Sequence, residues 1–343
     1  MTAEPEAKPR RIRNISELAK LAGVSAGTVS RALAGKELVN SRTRERIQAL
    51  AREHGFRPNQ MASRLRTGQT GVIGVVIPLG HEKKQHISDP FFMTMLGHLA
   101  DGLTEVGYDL MLSRVIPADG EDWLERIVDS GMLDGVVMIG QSDQFAAIER
   151  TAAVYPPLVV WGTARPGQRH CVVGTDSFVG GQLAVRHLLS RGRRRLAFFG
   201  DTTGLEIEQR LAGARAALAE SGSGATLAVY PTHLSQQEMP GQIAADLDRM
   251  DPAIDGIFAA SDVIAMATVR LLHERHRKVP EDIAIVGFDD LPLATQTVPQ
   301  LTTVRQDIAA GARTLVANLL RRLAGEATGS TIMAPELVIR ESA

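Results

Sequence analysis

Apolar residues fall at two different periods along this chain. Near the N-terminus the period is helical. Ile15, Leu18, Ala19 and Ala22 follow i, i+3, i+4, i+7 spacing. Val29, Ala32 and Leu33 line a second short helix, and Ile47, Leu50 and Ala51 a third that begins near Asn40. Asn14 and Ser25 stand where N-caps belong, and Gly23 ends the first helix. Val24 before the Ser25 cap and Val29 after it form a hydrophobic staple. Pro58 can open, and Gly68 close, one more short helix. From Gly71 the pattern changes to buried strands. GVIGVVIP, YDLMLS, DGVVMIG, PLVVWG, CVVGT, RLAFFG, TLAVYP, DGIFAA and DIAIVGFDD each read as one, most separated by amphipathic stretches. One such stretch places Phe92, Met95, Leu96, Leu99, Leu103 and Val106 on one stripe. This alternation predicts an α/β fold, with doubly wound parallel sheets and helices on both faces. Its length exceeds one such unit, so two lobes with a cleft between them are expected.

The stretch GVSAG (residues 23–27) matches G-x-S-x-G, the elbow that presents a nucleophilic serine. An elbow needs a strand before the serine. The amphipathic helix ISELAKLA precedes it instead, and no buried strand lies upstream. Ser25 therefore reads as a cap between two helices at a steep angle, a helix-turn-helix. A serine hydrolase using Ser25 stays only as a minor alternative, and no enzymatic activity is expected. His81-Glu82 with His86 is one position too long for H-E-x-x-H, and Gly35-Lys36 lacks the rest of a phosphate loop. Neither a metal nor a cofactor is expected.

Charge separates the chain further. Residues 1–70 carry fourteen Lys/Arg against six Asp/Glu, a net of +8, whereas the whole chain sums to −1. A basic head on an acidic body predicts that the head alone meets a polyanion. Residues 1–11, rich in Pro, Glu, Lys and Arg, read as a disordered tail. No apolar run is long enough to span a membrane and the N-terminus is polar, so a cytoplasmic protein with no membrane partner is expected. The single cysteine, Cys171, fits a reducing compartment; it reads as a small buried residue or, alternatively, as a reactive thiol.

With these elements in place, ISELAKLAGVSAGTVSRAL, VNSRTRERIQALAREHGFRPN and ASRLRTG together resemble the DNA-binding head and hinge of the lactose/galactose repressor family. GVIGVVIP, QRLAGARAAL, AASDVIAMATVRLL, VPEDIAIVGFDD, PQLTTVRQD and ELVIRES continue the resemblance to the end of the chain. It implies a helix-turn-helix domain over 12–57, a hinge helix and linker over 58–70, and a two-lobe body like periplasmic sugar-binding proteins over 71–343. Three crossovers would divide that body into a first lobe of 71–162 and 291–323 and a second of 163–290 and 324–343.

The resemblance also implies roles. Ala26 and Gly27 would occupy the positions that vary with operator sequence, and Arg31 the next reading position. Arg31 could pair with a guanine or contact a phosphate. Ser25, Thr28, Ser30, Asn40 and Thr43 would hold phosphates and set register. Phe56 stands where relatives often carry Tyr, which removes a hydroxyl from that set. Asn59, Ala62 and Leu65 would belong to the hinge, with Leu65 wedging into the minor groove. That hinge helix is too short to be stable alone, so a ligand that moves the lobes would melt it and release DNA. In the cleft, Arg210, Asp289, Ser261 and Asp89 would bind ligand hydroxyls. Phe91 and Trp161 would stack on a sugar or pack in the core. Gly162 replaces an expected acid or amide, so one sugar contact would be missing. The implied function is a sequence-specific repressor of carbohydrate uptake or catabolism genes. It would bind a pseudo-palindromic double-stranded operator as a homodimer and be released by a sugar-type inducer. A nucleobase co-repressed regulator is the alternative. No heptad tail follows ELVIRESA, which predicts a dimer rather than a tetramer.

Overall fold

The computed structural model describes residues 12, 14–33, 39–56, 69–79, 85–117, 122–141, 143–235 and 237–343. They divide into two compact units, Met1–Thr70 and Gly71–Ala343.

The first unit contains α1 (Ile15–Ala22), α2 (Ala26–Leu33) and α3 (Ser41–Glu53). Asn14 Oδ1 accepts from Glu17 N–H at 2.9 Å, Ser25 Oγ from Thr28 N–H at 3.1 Å and Asn40 Oδ1 from Arg42 N–H at 3.0 Å. Each bond satisfies an N–H that the helix itself cannot. Gly23 takes φ 65°, a left-handed conformation that costs other residues about 1 kcal/mol and lets the chain turn sharply from α1 to α2. Arg46 Nη2 donates to Ala22 O at 2.5 Å, tying α3 to the end of α1. Leu18, Ala22, Val29, Ala32, Ile47, Ala51 and Phe56 are buried together as the core of this small unit. Phe56 spends its whole ring on that core, so its missing hydroxyl removes nothing from packing.

The second unit contains two six-stranded sheets. Its strands are β1 (Val72–Pro78), β2 (Asp109–Val115), β3 (Gly135–Ile139), β4 (Leu158–Trp161), β5 (Cys171–Thr175), β6 (Arg195–Phe199), β7 (Thr226–Tyr230), β8 (Gly256–Ala259), β9 (Ala284–Asp289), β10 (Thr302–Arg305), β11 (Thr331–Met333) and β12 (Glu336–Val338). One sheet has the order β11-β5-β4-β3-β1-β2 and the other β12-β10-β9-β8-β6-β7. All pairs are parallel except β10 with β12. The helices are α4 (Pro90–Glu105), α5 (Trp123–Val128), α6 (Phe145–Val154), α7 (Ser177–Ser190), α8 (Leu205–Ser221), α9 (Met239–Arg249), α10 (Asp262–Glu274) and α11 (Ile308–Leu323).

Each expected crossover falls one strand too early. β5, expected in the second lobe, pairs with β4 in the first sheet. β10, expected in the first, pairs with β9 in the second. β11, expected in the second, pairs with β5 in the first. The chain therefore changes lobe after Thr175, after Arg305 and between Met333 and Glu336. An apolar run identifies a strand but not its partner, which lies far away in sequence. A second correction concerns Val106. It caps the end of α4 and is 45% exposed, because Gly107 turns the chain at φ 83° and ends the apolar stripe at Leu103.

In the second lobe α7 and α8 touch backbone to backbone. A Cβ on Gly181 would lie 2.0 Å from Arg210 O, and one on Gly213 only 1.9 Å from Phe178 O. Two absent side chains thus set the depth at which α8 carries Arg210. Gly213→Ala is expected to lower the thermal midpoint by several degrees, since backbone must move to admit the methyl. Gly241→Ala in α9 has open space around it and is expected to be neutral or stabilising by up to about 1 kcal/mol. Equal midpoints for the two variants in a thermal denaturation series would contradict the close crossing.

Candidate functional site

The reading face of the first unit is built by capping. Ser25 is exposed and its Oγ is 2.9 Å from Thr28 Oγ1, besides accepting from Thr28 N–H. α1 precedes Ser25, so the elbow geometry that GVSAG suggested is not formed. Ala26, Gly27, Thr28, Ser30 and Arg31 follow on the first two turns of α2, with Gly27 and Arg31 exposed. The Arg31 guanidinium folds back over Gly27, 3.7 Å from where a Cβ would be. A Cβ at Gly27 would be in ordinary van der Waals contact with this side chain one turn later. Asn40 and Thr43 open α3. Asn59, Ala62 and Leu65, with the hinge helix expected around them, lie outside the described residues. So do the 1–11 tail, Gly35, Lys36, His81 and Glu82.

In the second unit the carboxyl ends of the strands of both sheets face one cleft, the usual place for a ligand in such folds. Its cavity of about 130 Å³ has room for about four water molecules. All six residues expected to bind ligand line it: Asp89, Phe91, Trp161, Arg210, Ser261 and Asp289. Arg210 is only 6% exposed. Its Nη1 donates to Ala260 O, its guanidinium carbon lies 3.7 Å from the centre of the Phe288 ring, and Asp289 Oδ1 is 3.9 Å away. Burial pushes Arg210 down from its ordinary value, and the carboxylates of Asp289, Glu206 and Asp262 push it back up. A guanidinium stays charged throughout.

Asp289 ends β9 with φ 122°, and Gln306 Nε2 donates to its Oδ1 at 2.6 Å. Burial raises its carboxyl to about 7, against the opposing pull of Arg210. Asp262, behind it, accepts from Leu291 N–H at 2.8 Å and Thr303 Oγ1 at 2.5 Å and is also raised by burial. Asp89 and Ser261 cap helices: Asp89 Oδ1 accepts from Phe91 N–H at 2.9 Å and Ser261 Oγ from Ile264 N–H at 3.3 Å. Gln85 Nε2 donates to Asp89 Oδ2 at 3.1 Å. Capping leaves the Ser261 hydroxyl proton able to donate into the cleft. Thr175 Oγ1 and Arg210 Nε have no hydrogen-bond partner among the described residues although both are buried. Such atoms carry a desolvation cost that a polar ligand offsets.

Trp161 packs its ring against the bare backbone of Gly311, where a Cβ would lie 2.2 Å from Cζ3, and its centroid is 6.3 Å from that of Phe91. The two rings form the apolar wall.

The Bacterial regulatory proteins, lacI family, model matches residues 14–59, and the Periplasmic binding protein-like domain model matches 185–343. The HTH-type transcriptional regulator CelR of Thermobifida fusca is 30% identical, over 97% of this chain and 99% of its own. The chain belongs to the LacI family. This transcriptional regulator also superposes on the lac repressor dimer bound to operator and the anti-inducer ONPF, with a TM-score of 0.83, 23% identity and coverage of 98% and 99% of the two chains. That likeness is one of fold. A transcriptional regulator CelR–cellobiose complex has a TM-score of 0.68 at 27% identity, covering 97% of this chain and 100% of its own.

Six further polar residues line this LacI-family cleft without a sequence signal of their own: Gln85, Thr163, Thr175, Ser177, Glu206 and Gln306. Thr175 ends β5, a strand expected in the other lobe, Gln306 follows β10, a strand not marked by an apolar run, and Glu206 sits in a helix without an apolar stripe to orient it. At Gly162 the missing side chain leaves a notch that two other side chains fill. Gln141 Nε2 and Glu206 Oε1 lie 2.6 and 3.0 Å from where its Cβ would stand.

The raised Asp289 carboxyl has a pH signature. Folded, it holds its proton up to about 7; the ordinary value is 3.8. The stability it contributes is present below the lower value and is lost as pH rises through the upper one. The thermal midpoint of Asp289→Asn minus that of the parent protein is expected to increase from pH 5 to pH 8. A difference independent of pH would show that this carboxyl is not raised.

Proposed function

We propose that this regulator is a sugar-responsive repressor of carbohydrate uptake or catabolism genes, acting in the cytoplasm. As a homodimer it binds a pseudo-palindromic operator through Ser25–Arg31 of α2, with phosphate contacts from Ser25, Thr28, Ser30, Asn40 and Thr43. Asn59, Ala62 and Leu65 of the hinge engage the centre of the site. An inducer in the cleft moves the lobes, separates the two hinges and releases the DNA.

The observation that carries the effector class is the cleft lining. Arg210, Asp289, Asp89 and Ser261 offer charged or hydroxyl groups, and Trp161 and Phe91 supply an apolar wall. A sugar ring has hydroxyl edges and apolar faces, which fits that division. The CelR–cellobiose complex supports the same reading, since a relative of this length and fold carries a sugar.

Base reading falls chiefly to Arg31, because Ala26 and Gly27 have no polar side-chain atoms. A bidentate arginine–guanine pair discriminates by about 1–3 kcal/mol. In a binding-site selection, Arg31→Ala is expected to relax the preferred operator more than Ala26→Ser or Gly27→Ala. The reverse order would assign reading to the start of the helix.

A thermal-shift screen against sugars, sugar phosphates and purines tests the effector. A ligand at 100 times its Kd adds about 2.7 kcal/mol of stability. At least one uncharged sugar is expected to raise the midpoint and to weaken operator binding in a titration. Stabilisation by purines alone, with tighter operator binding, would overturn the sugar reading.

A further inference from the structure

Three segments meet on one wall of the cleft. Gly162 follows β4 in the first lobe and leaves a notch where its side chain would be. Gln141, after β3, borders the notch, and its Nε2 donates to Thr163 O at 2.6 Å. Glu206 comes from the opposite lobe, in the first turn of α8, where a carboxylate also suits the helix dipole. Its Oε1 enters the notch and accepts from Thr163 N–H at 3.2 Å. This bond joins the two lobes directly. Glu206 also lines the cavity together with Asp89, Arg210 and Asp289.

We propose that Glu206 is a cross-cleft clamp and a specificity-determining residue: one carboxylate oxygen docks in the Gly162 notch while the other accepts a hydrogen bond from a hydroxyl of an uncharged ligand. The ligand half of this statement rests on the sugar reading above; the clamp half does not. With Glu206 counted, the lining presents three carboxyl groups to a single guanidinium, and Ala260 O, the Phe288 ring and Asp289 already engage that guanidinium. Carboxyl groups therefore outnumber cations, so a ligand with donating hydroxyls suits the lining, while Arg210 Nε, Thr175 Oγ1 and the Ser261 hydroxyl are left for its oxygens. A phosphate or carboxylate on the ligand would meet like charge in a partly desolvated cleft. The same carboxylate then senses hydroxyl chemistry and holds the lobes together. The acid or amide expected at position 162 is replaced by an acid reaching in from the other lobe.

The test uses the full chain with spin labels on cysteines at two exposed positions, Val154 in the first lobe and His273 in the second. The native Cys171 is buried and does not compete. Without ligand, Glu206→Ala and Gly162→Ala are both expected to shift the label-to-label distance distribution to longer values. Gly162→Ala is expected to fold, because its methyl meets only the side chains of Gln141 and Glu206 and no backbone. Glu206→Gln keeps the parent distribution, since its amide oxygen still accepts from Thr163. Unchanged distances in both alanine variants overturn the clamp whether or not any sugar binds. In calorimetric titrations with cellobiose and D-ribose, the sugar that binds the parent is expected to bind Glu206→Ala about tenfold more weakly. D-gluconate and ribose 5-phosphate are expected not to bind. Equal affinity in Glu206→Ala, or binding of either anion, overturns the specificity role. Failure of every neutral sugar to bind the parent contradicts the sugar reading instead and leaves the distance measurement to decide the clamp.

Discussion

A single buried cation organises the second unit of this molecule. Arg210 is almost wholly removed from water, and a guanidinium there is tolerated only if its charge and donors are met. A carbonyl at the end of β8, the face of Phe288 and the Asp289 carboxylate meet it together. Asp289 is in turn held by Gln306, on the strand-to-helix crossing that leads back to the first lobe. Two glycines fix how deeply α8 sits against α7, and so where the cation can be. Packing, lobe connection and ligand chemistry are therefore one linked set of constraints around one side chain.

Much of this was readable because it depends on neighbours in sequence. Caps at Asn14 and Ser25 follow from residue type and the apolar spacing after them, and both residues accept the capping hydrogen bonds. The nine strands marked by apolar runs all form. What escaped depends on partners remote in the chain. β10, β11 and β12 are short and only partly apolar, and β5 reads identically whichever sheet receives it. Arg210 and Asp289 could be placed by resemblance, but Glu206 and Gln306 could not. Their roles arise from where the second lobe lies against the first, which no local pattern records.

Trp161 illustrates why the choice between core and site was not decidable from sequence. Its ring is both. The ring packs on the bare backbone of Gly311 within the first lobe's core, and the residue also lines the cavity. A wall that is also core moves little, so the apolar side of the cleft is rigid. Adaptation to different ligands falls to the polar side chains on the strand ends.

The three lobe changes carry a further meaning for how the chain is made. β11 completes the first sheet and β12 the second, and both lie within residues 331–338. Ser342 then stitches Ile285 and Thr302 together through its backbone carbonyl and hydroxyl. On the ribosome, neither lobe can acquire its outermost strand until residues 331–338 have emerged. The two lobes are thus not separable modules that fold in turn; one short segment completes both.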